Sequence, residues 1–286
     1  MRALVTGAAG QLGVELLRTA PSHFEVVGVA RGECDITNAV QLEETIEHHR
    51  PDVVINTAAY TGVDQAESNS DVANAVNATG AGNVARAAQR LGARIIHISS
   101  DYVFDGTSRE PYRPQSEPNP INVYGASKLA GEREVKRAAS APLILRSSWL
   151  YAPHGKNFLM TILSALRASR PLQVVNDQIG VPTSARSLAS TIWKCAERPE
   201  LRGIHHWVDG GTASWYDFAV VIQDIALEKR LVGKPTPITA VTSEEYKLPA
   251  RRPAYSVLDA QSLSGMIEEK PRPWRDWVAE MINELR

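Results

Sequence analysis

A chain of 286 residues, 43% of them hydrophobic, can bury a large core, as one large domain or two modest ones. Its 31 Lys and Arg against 32 Asp and Glu leave a formal net charge of -1, so no global field directs it to nucleic acid or to a membrane surface. The two cysteines, Cys34 and Cys195, stand far apart without metal-ligand spacing, which argues against a disulfide framework and fits a reducing compartment.

The first apolar run, residues 3–5, is reached without a signal-peptide core, and no apolar run approaches the roughly 18 residues that span a bilayer. A soluble, cytoplasmic protein is expected, with neither nucleic acid nor membrane as partner. Gly7-x-x-Gly10-x-x-Gly13 follows that run and opens a helix predicted over 11–19. Between strand and helix, this spacing is a dinucleotide fingerprint. Gly7 permits the tight turn, Gly10 lets backbone approach a pyrophosphate at the helix N-terminus, and Gly13 lets the helix pack close. The second strand, 26–29, leads to Ala30-Arg31. An acidic residue there accepts from a free ribose 2′-OH, whereas an arginine meets a 2′-phosphate. Arg31 therefore favours NADPH, a solvated strand-end arginine being the alternative reading. Asp35 and Ile36 are expected to border the adenine, and Thr37 or Asn38 to cap a helix over 39–49.

A third run, 53–56, leads into Asn56-Thr57-Ala58-Ala59, small residues that let a cofactor lie against backbone or that simply pack tightly. One long helix is predicted over 70–91, then a strand over 95–98, a helix over 124–139 and a strand over 143–145. Val- and Ile-rich strands alternating with helical segments build β-α-β units, hence a doubly wound parallel sheet of the α/β class. After Trp149 the alternation degrades. Pro153-His154-Gly155 and then Pro182, Pro199, Pro235, Pro237 and Pro249 divide the remainder into short elements. The expected division is therefore 1–150, binding the dinucleotide, and 151–286, a smaller, irregular region that mainly binds substrate. Some of its segments are allowed to return to the first half.

Tyr124 and Lys128, four apart on a predicted helix, share a face, so the ammonium can favour the ionised phenol and let it exchange protons near neutral pH. Alone, Tyr-x-x-x-Lys is more often a surface pair. Downstream of the glycine fingerprint it reads as the proton-handling pair of a redox enzyme.

With Ser99-Ser100-Asp101-Tyr102-Val103-Phe104-Asp105-Gly106 between them, these motifs resemble the extended short-chain dehydrogenase/reductase superfamily, and within it the dTDP-4-dehydrorhamnose reductase family. The resemblance covers the chain through Asn56-Thr57-Ala58-Ala59-Tyr60-Thr61, Arg146-x-x-Trp149, Asn176-Asp177-Gln178-x-Gly180-x-Pro182-Thr183 and Arg252-Pro253. It implies a Rossmann-like fold. Tyr124 would be the proton donor, Lys128 its electrostatic partner and ligand of the cofactor ribose, and Ser100, a threonine in many members, the hydroxyl that meets the substrate carbonyl. Gly7, Gly10, Gln11, Leu12 and Gly13 would line the pyrophosphate. Ala58, Ala59, Tyr60, Thr61 and Tyr102 would lie on the nicotinamide side. Asp101 and Trp149 would meet the nucleotide sugar; for Trp149 a purely structural tryptophan is nearly as well expected.

The implied reaction is reduction of the 4-keto group of dTDP-4-dehydro-β-L-rhamnose by NADPH, NADH being a second candidate donor, with the C4 epimer of the product left open. Nucleotide-sugar epimerases and dehydratases share the triad, but dehydratases place Asp-Glu after the catalytic hydroxyl residue, and here Asp101-Tyr102 follows Ser100. A non-catalytic regulatory subunit, resembling the β-subunit of methionine adenosyltransferase, is a rival from another class. Ser100, Tyr124 and Lys128 together favour the enzyme. Some dimeric members hold magnesium through carboxylates; Glu15 is one such residue here, but Arg186 stands where another carboxylate would. No metal is therefore assigned, and monomer and homodimer stay open.

Overall fold

The computed structural model describes residues 1–285. Its first half alternates β1 (Arg2–Thr6), α1 (Gln11–Arg18), β2 (Glu25–Val29), α2 (Ala39–His49), β3 (Val53–Asn56), α3 (Val63–Ser68), α4 (Ser70–Asn74) and α5 (Ala81–Arg90). It continues with β4 (Arg94–Ser100), α6 (Val123–Ala138) and β5 (Leu143–Ser147). The second half holds β6 (Leu150–Tyr151), α7 (Phe158–Arg167), β7 (Leu172–Val175), β8 (Ile179–Gly180), β9 (Thr183–Ser184) and α8 (Ala185–Ala196). After them come β10 (Gly203–His206), β11 (Ala213–Ser214), α9 (Trp215–Glu228), β12 (Ile238–Val241), α10 (Gln261–Ile267) and α11 (Trp274–Asn283). No helix among the described residues is long and apolar enough to cross a membrane.

Six strands form one parallel sheet in the order β2-β1-β3-β4-β5-β10. Successive strand residues face opposite sides, which sorts the apolar side chains into two cores. Ala3, Val5, Ile55 and Ile96 pack with Leu12 and Leu16 of α1 and Leu188 and Ile192 of α8. Leu4, Val54, Ile95 and Ile144 pack with Leu42 and Ile46 of α2 and Val84 and Ala88 of α5. From β1 the chain moves first to β2 on one side and then to β3 on the other. The loops after β1 and β3 therefore part at a topological switch point, the place where an open α/β sheet receives a ligand.

Three segments beyond residue 150 lie on this sheet layer: β10 is its sixth strand, and α8 and α10 contribute Trp193, Leu263 and Ile267 to the first core. A third core unites α7, α9 and α11 through Leu163, Phe218, Ile222 and Val278. At α2 the cap is Asn38, whose side chain accepts from the Gln41 amide at 3.2 Å.

The long helix expected over 70–91 is interrupted. Residues Ala75–Gly80 form a π-helical segment between α4 and α5. The widened turn places Asn77, 1% exposed, between three elements. Its carbonyl presses on α6, where a Cβ built on Gly131 would fall 2.0 Å from Asn77 O.

Candidate active site at the carboxyl edge of the sheet

The glycine turn is built to bring backbone close to an anion. Gly7 has φ of +73°, and a Cβ there would fall 2.7 Å from the Ala58 amide nitrogen across the switch point. A Cβ on Gly13 would fall 2.5 Å from Gly7 O, so α1 seats directly on the turn. Gly10 is the N-cap of α1, which has neither a side-chain cap nor an acidic residue in its first turn. Those amides and the positive end of the helix dipole fit a pyrophosphate. Gln11 turns its side chain to accept from Asn157 Nδ2 at 2.8 Å, and Leu12 buries its side chain in the first core, leaving its backbone to the turn.

Beyond β2, Arg31 is 79% exposed at its side chain and lies 3.4 Å from Asp35. The Asp35 carboxylate accepts from the Thr37 amide and hydroxyl at 2.9 and 2.8 Å, and these bonds hold its pKa below the usual carboxylate range. Ile36 is buried against Gly80, so its side chain is core rather than open surface. On the other side of the switch point, Ala58 donates to Asn56 Oδ1 at 3.2 Å, and the loop runs on through Ala59, Tyr60 and Thr61 to α3.

Asn77 holds that loop. Its Oδ1 accepts from the Tyr60 amide at 2.8 Å, while its Nδ2 donates to Tyr60 O at 3.0 Å and Ser127 Oγ at 2.9 Å. Sequence reasoning missed this residue. No signal set it apart, since Asn74 and Asn83 share the 70–91 pattern with it.

Ser100 ends β4, and its hydroxyl accepts from the Tyr102 amide at 3.1 Å and donates to Asp101 Oδ1 at 3.0 Å. Asn122 caps α6, accepting from the Gly125 amide at 2.7 Å, and so starts the helix where Tyr124 faces Ser100. A Cβ on Gly125 would fall 2.1 Å from Tyr102 O, and the Tyr102 and Tyr124 rings meet edge to face at 5.6 Å. The Tyr124 phenol lies beside the Ser100 hydroxyl. Burial pushes its pKa up to about 12, Ser100 lowers it, and Asp101 raises it.

Lys128 is 2% exposed and donates to Ile98 O of β4 at 2.7 Å. Burial draws its pKa down to about 8, with Glu132 opposing. The sequence expectation that the ammonium lowers the phenol pKa differs from this arrangement: Lys128 is engaged by a strand carbonyl, and burial dominates at Tyr124. Behind it, Glu132 accepts from Ser99 Oγ at 2.6 Å and from Arg146 Nε and Nη2 at 2.8 and 2.7 Å, so a buried carboxylate is fully paired.

Asp101 is buried with Oδ2 unpartnered, and burial raises its pKa to about 6. Tyr102 is raised by burial and by Asp101, and Arg252, which grips Asp64 at 3.0 and 2.7 Å, opposes this. Trp149 lies just past β5, where Ser147 pairs with Ser100. The Asn176-Asp177-Gln178 motif ties two loops: Asp177 accepts from Ser243 at 2.8 and 2.7 Å, and Gln178 donates to Ser243 Oγ at 2.8 Å. The structure thus brings Ser100, Asp101, Tyr102 and Tyr124 together at the carboxyl end of β4, two strands from the glycine turn, and puts Arg31 and Asp35 just past β2, whose Val29 O accepts from the Ala8 amide of that turn at 3.1 Å.

Glu15, the carboxylate implicated in a metal, does not fit one. Glu15, fully buried, lies 2.9 Å from His154 Nε2 and accepts from Arg186 Nε at 2.9 Å; Arg186 Nη2 donates to Glu284 at 3.0 Å. A guanidinium thus occupies the space between the two carboxylates. Among the described residues no group of three or more His, Cys, Asp or Glu could hold a metal ion.

Comparison with known proteins agrees with this architecture. The family model described as the RmlD substrate binding domain matches residues 1–286. The chain is 39% identical to the spore coat polysaccharide biosynthesis protein SpsK of Bacillus subtilis, over 99% of this chain and 97% of that protein. It is 36% identical to the dTDP-4-dehydrorhamnose reductase of Salmonella typhimurium, over 100% of this chain and 98% of the relative. The crystal structure of dTDP-4-dehydrorhamnose reductase from Bacillus anthracis in complex with NADP superimposes with a TM-score of 0.92 at 36% identity, covering 99% of both chains. The glycine turn at the switch point, the Ser100-Tyr124 pair and these full-length matches place the chain in the RmlD substrate binding domain family, the family of the dTDP-4-dehydrorhamnose reductases.

Proposed function

We infer that this protein is an NADPH-dependent oxidoreductase that reduces dTDP-4-dehydro-β-L-rhamnose to dTDP-β-L-rhamnose, a step of dTDP-rhamnose biosynthesis. What carries it is the pairing of two hydroxyls, Ser100 buried and Tyr124 half-buried, at the same carboxyl edge of the sheet as the glycine turn. NADPH, when bound, supplies the hydride. The turn from Gly7 to Gly13 would hold its pyrophosphate, Arg31 its 2′-phosphate, Lys128 its ribose, and Ala58 to Thr61 with Tyr102 its nicotinamide side.

The chain's own groups handle the proton. A phenol held up to about 12 stays protonated at neutral pH, so Tyr124 is loaded as a donor. Its proton passes downhill to the oxygen of the ketone as that oxygen becomes an alkoxide. Ser100, turning its one proton from Asp101 to the same oxygen, stabilises the growing charge. Lys128, with a pKa of about 8, carries its ammonium at neutral pH, one turn of α6 from Tyr124, where it would hold the cofactor ribose. Asp101 and Trp149 would meet the nucleotide sugar, whose remote base and diphosphate supply the binding energy that positions C4.

Purified protein should consume NADPH when given the 4-keto sugar as its dTDP conjugate, and turn over the free keto-sugar very poorly. Tyr124→Phe should lower kcat by roughly 100-fold or more while NADPH binding survives. Confirmed NADPH binding without consumption would move the weight to a regulatory subunit. Tightly held NAD that persists through purification would point to an epimerase.

A further inference from the structure

Among the described residues Trp149 is one of five non-glycine residues with positive φ, at +44°, a conformation that persists only where the surroundings enforce it. Two neighbours do so, one on each face of its indole. On one side the indole lies against Gly180, where a Cβ would fall 2.5 Å from Cε2, 2.7 Å from Cζ2 and 2.8 Å from Nε1. On the other, Trp215 stacks on it with ring centroids 3.7 Å apart and planes 8° from parallel. Both supports belong to one unit. Gly180 ends β8 and pairs with Ala213 of β11, and Trp215 follows β11 directly as the first residue of α9. Phe158 backs Trp215 at 4.6 Å.

Both tryptophans stay partly exposed, and Trp149 stands two residues beyond Ser147, the register partner of Ser100. An indole with both faces covered can offer a ligand only its edge. A tryptophan that served packing alone would gain nothing from a strained backbone and from a glycine kept clear for it. We propose that Trp215 is a positioning residue of the site, acting through Trp149 by fixing that indole edge-on as a rigid wall for the nucleotide sugar. This rests on the reading of the site as one for a dTDP-sugar.

Two indoles stacked this closely couple excitonically, so the unmutated protein should show a far-UV circular-dichroism couplet that Trp149→Ala and Trp215→Ala each abolish. In Trp215→Ala, KM for the 4-keto nucleotide sugar should rise by about 10-fold, with kcat and NADPH affinity within about 2-fold of wild type. Trp215→Phe, which still stacks, should restore KM to within about 3-fold, although the couplet is gone. Adding Trp215→Ala to Trp149→Ala should change KM by less than about 2-fold, because the residue acts through Trp149. An unchanged KM in Trp215→Ala, or effects that simply add, would overturn the proposal. If Trp215→Ala does not fold, Trp215→Leu, apolar but unable to stack, replaces it under the same criteria. If the wild type turns over no 4-keto sugar, the proposed function fails by itself, and the stack is judged by calorimetric titration with dTDP-glucose. Affinity about 10-fold weaker in Trp215→Ala, absent in the Trp149→Ala background, supports the positioning role; equal affinity overturns it.

Discussion

At neutral pH the Tyr124 phenol keeps its proton, because burial holds it up to about 12, while burial brings Lys128 down to about 8. The two shifts act in one direction for a reductase: the donor stays loaded and the neighbouring cation stays charged until the pH passes about 8. We therefore expect kcat/KM for NADPH, which reports groups of the free enzyme, to fall as pH rises through about 8. Stability moves oppositely at this residue. A lysine whose folded pKa is depressed binds fewer protons in the native chain than in the unfolded one between about 8 and its ordinary value of 10.5, so its contribution to stability rises with pH across that window. A kcat/KM profile flat to pH 10 would remove the Lys128 ammonium from the mechanism. These residues were legible in the sequence because their spacing is local: Gly7, Gly10 and Gly13 around one turn, Tyr124 and Lys128 on one helix. The direction of the phenol shift was not, since it depends on Ser100, Asp101 and the solvent excluded by their packing. Asn77 was hidden for a related reason, its role being set by Tyr60 and Ser127, 17 and 50 residues away.

Helix period and strand composition located α1, α2, α6 and the first five strands of the sheet to within about three residues. The break at Ala75–Gly80 escaped that reading because a π-helical turn has no periodicity of its own over six residues. What specifies it is contact with α6. Gly131 allows α6 to lie on the Asn77 carbonyl, and any side chain there would meet backbone at 2.0 Å. Gly131→Ala should therefore lower the unfolding free energy by about 1–3 kcal/mol in urea titrations, despite the gain in helix propensity. A stability equal to or above wild type would show that the π segment does not depend on this close approach. Loss of activity beyond the loss of stability is also expected, since Asn77 carries Tyr60 on one side and Ser127, next to Lys128, on the other.

Over the whole molecule, the second half was the harder part to read. The strand β10, Gly203–His206, completes the sheet with two histidines in place of an apolar run. His206 is buried and its pKa is drawn down to about 3 by burial, so it enters the core as a neutral ring, with Nδ1 3.0 Å from Tyr112 O. Hydropathy alone gives such a segment no strand signal. The Arg186 guanidinium between Glu15 and Glu284 likewise binds α1, α8 and the end of α11 through charge pairing across more than 90 residues of sequence, which no local pattern reveals. The Arg186 ties fix α8 and α11 against α1, and α11 in turn shares a core with α9, the helix that begins at Trp215. In the proposed reaction hydride reaches C4 of a dTDP-linked sugar, and the proton its oxygen, across the sheet edge that carries Ser100 and Tyr124, leaving the rhamnose configuration. The most direct test is NMR of the product formed with NADPH deuterated at the transferred position of its nicotinamide, using the coupled dehydratase and 3,5-epimerase product as substrate. Deuterium at C4 of a sugar in the rhamnose configuration is the predicted result; deuterium in the talose configuration, or none in the sugar, would contradict it.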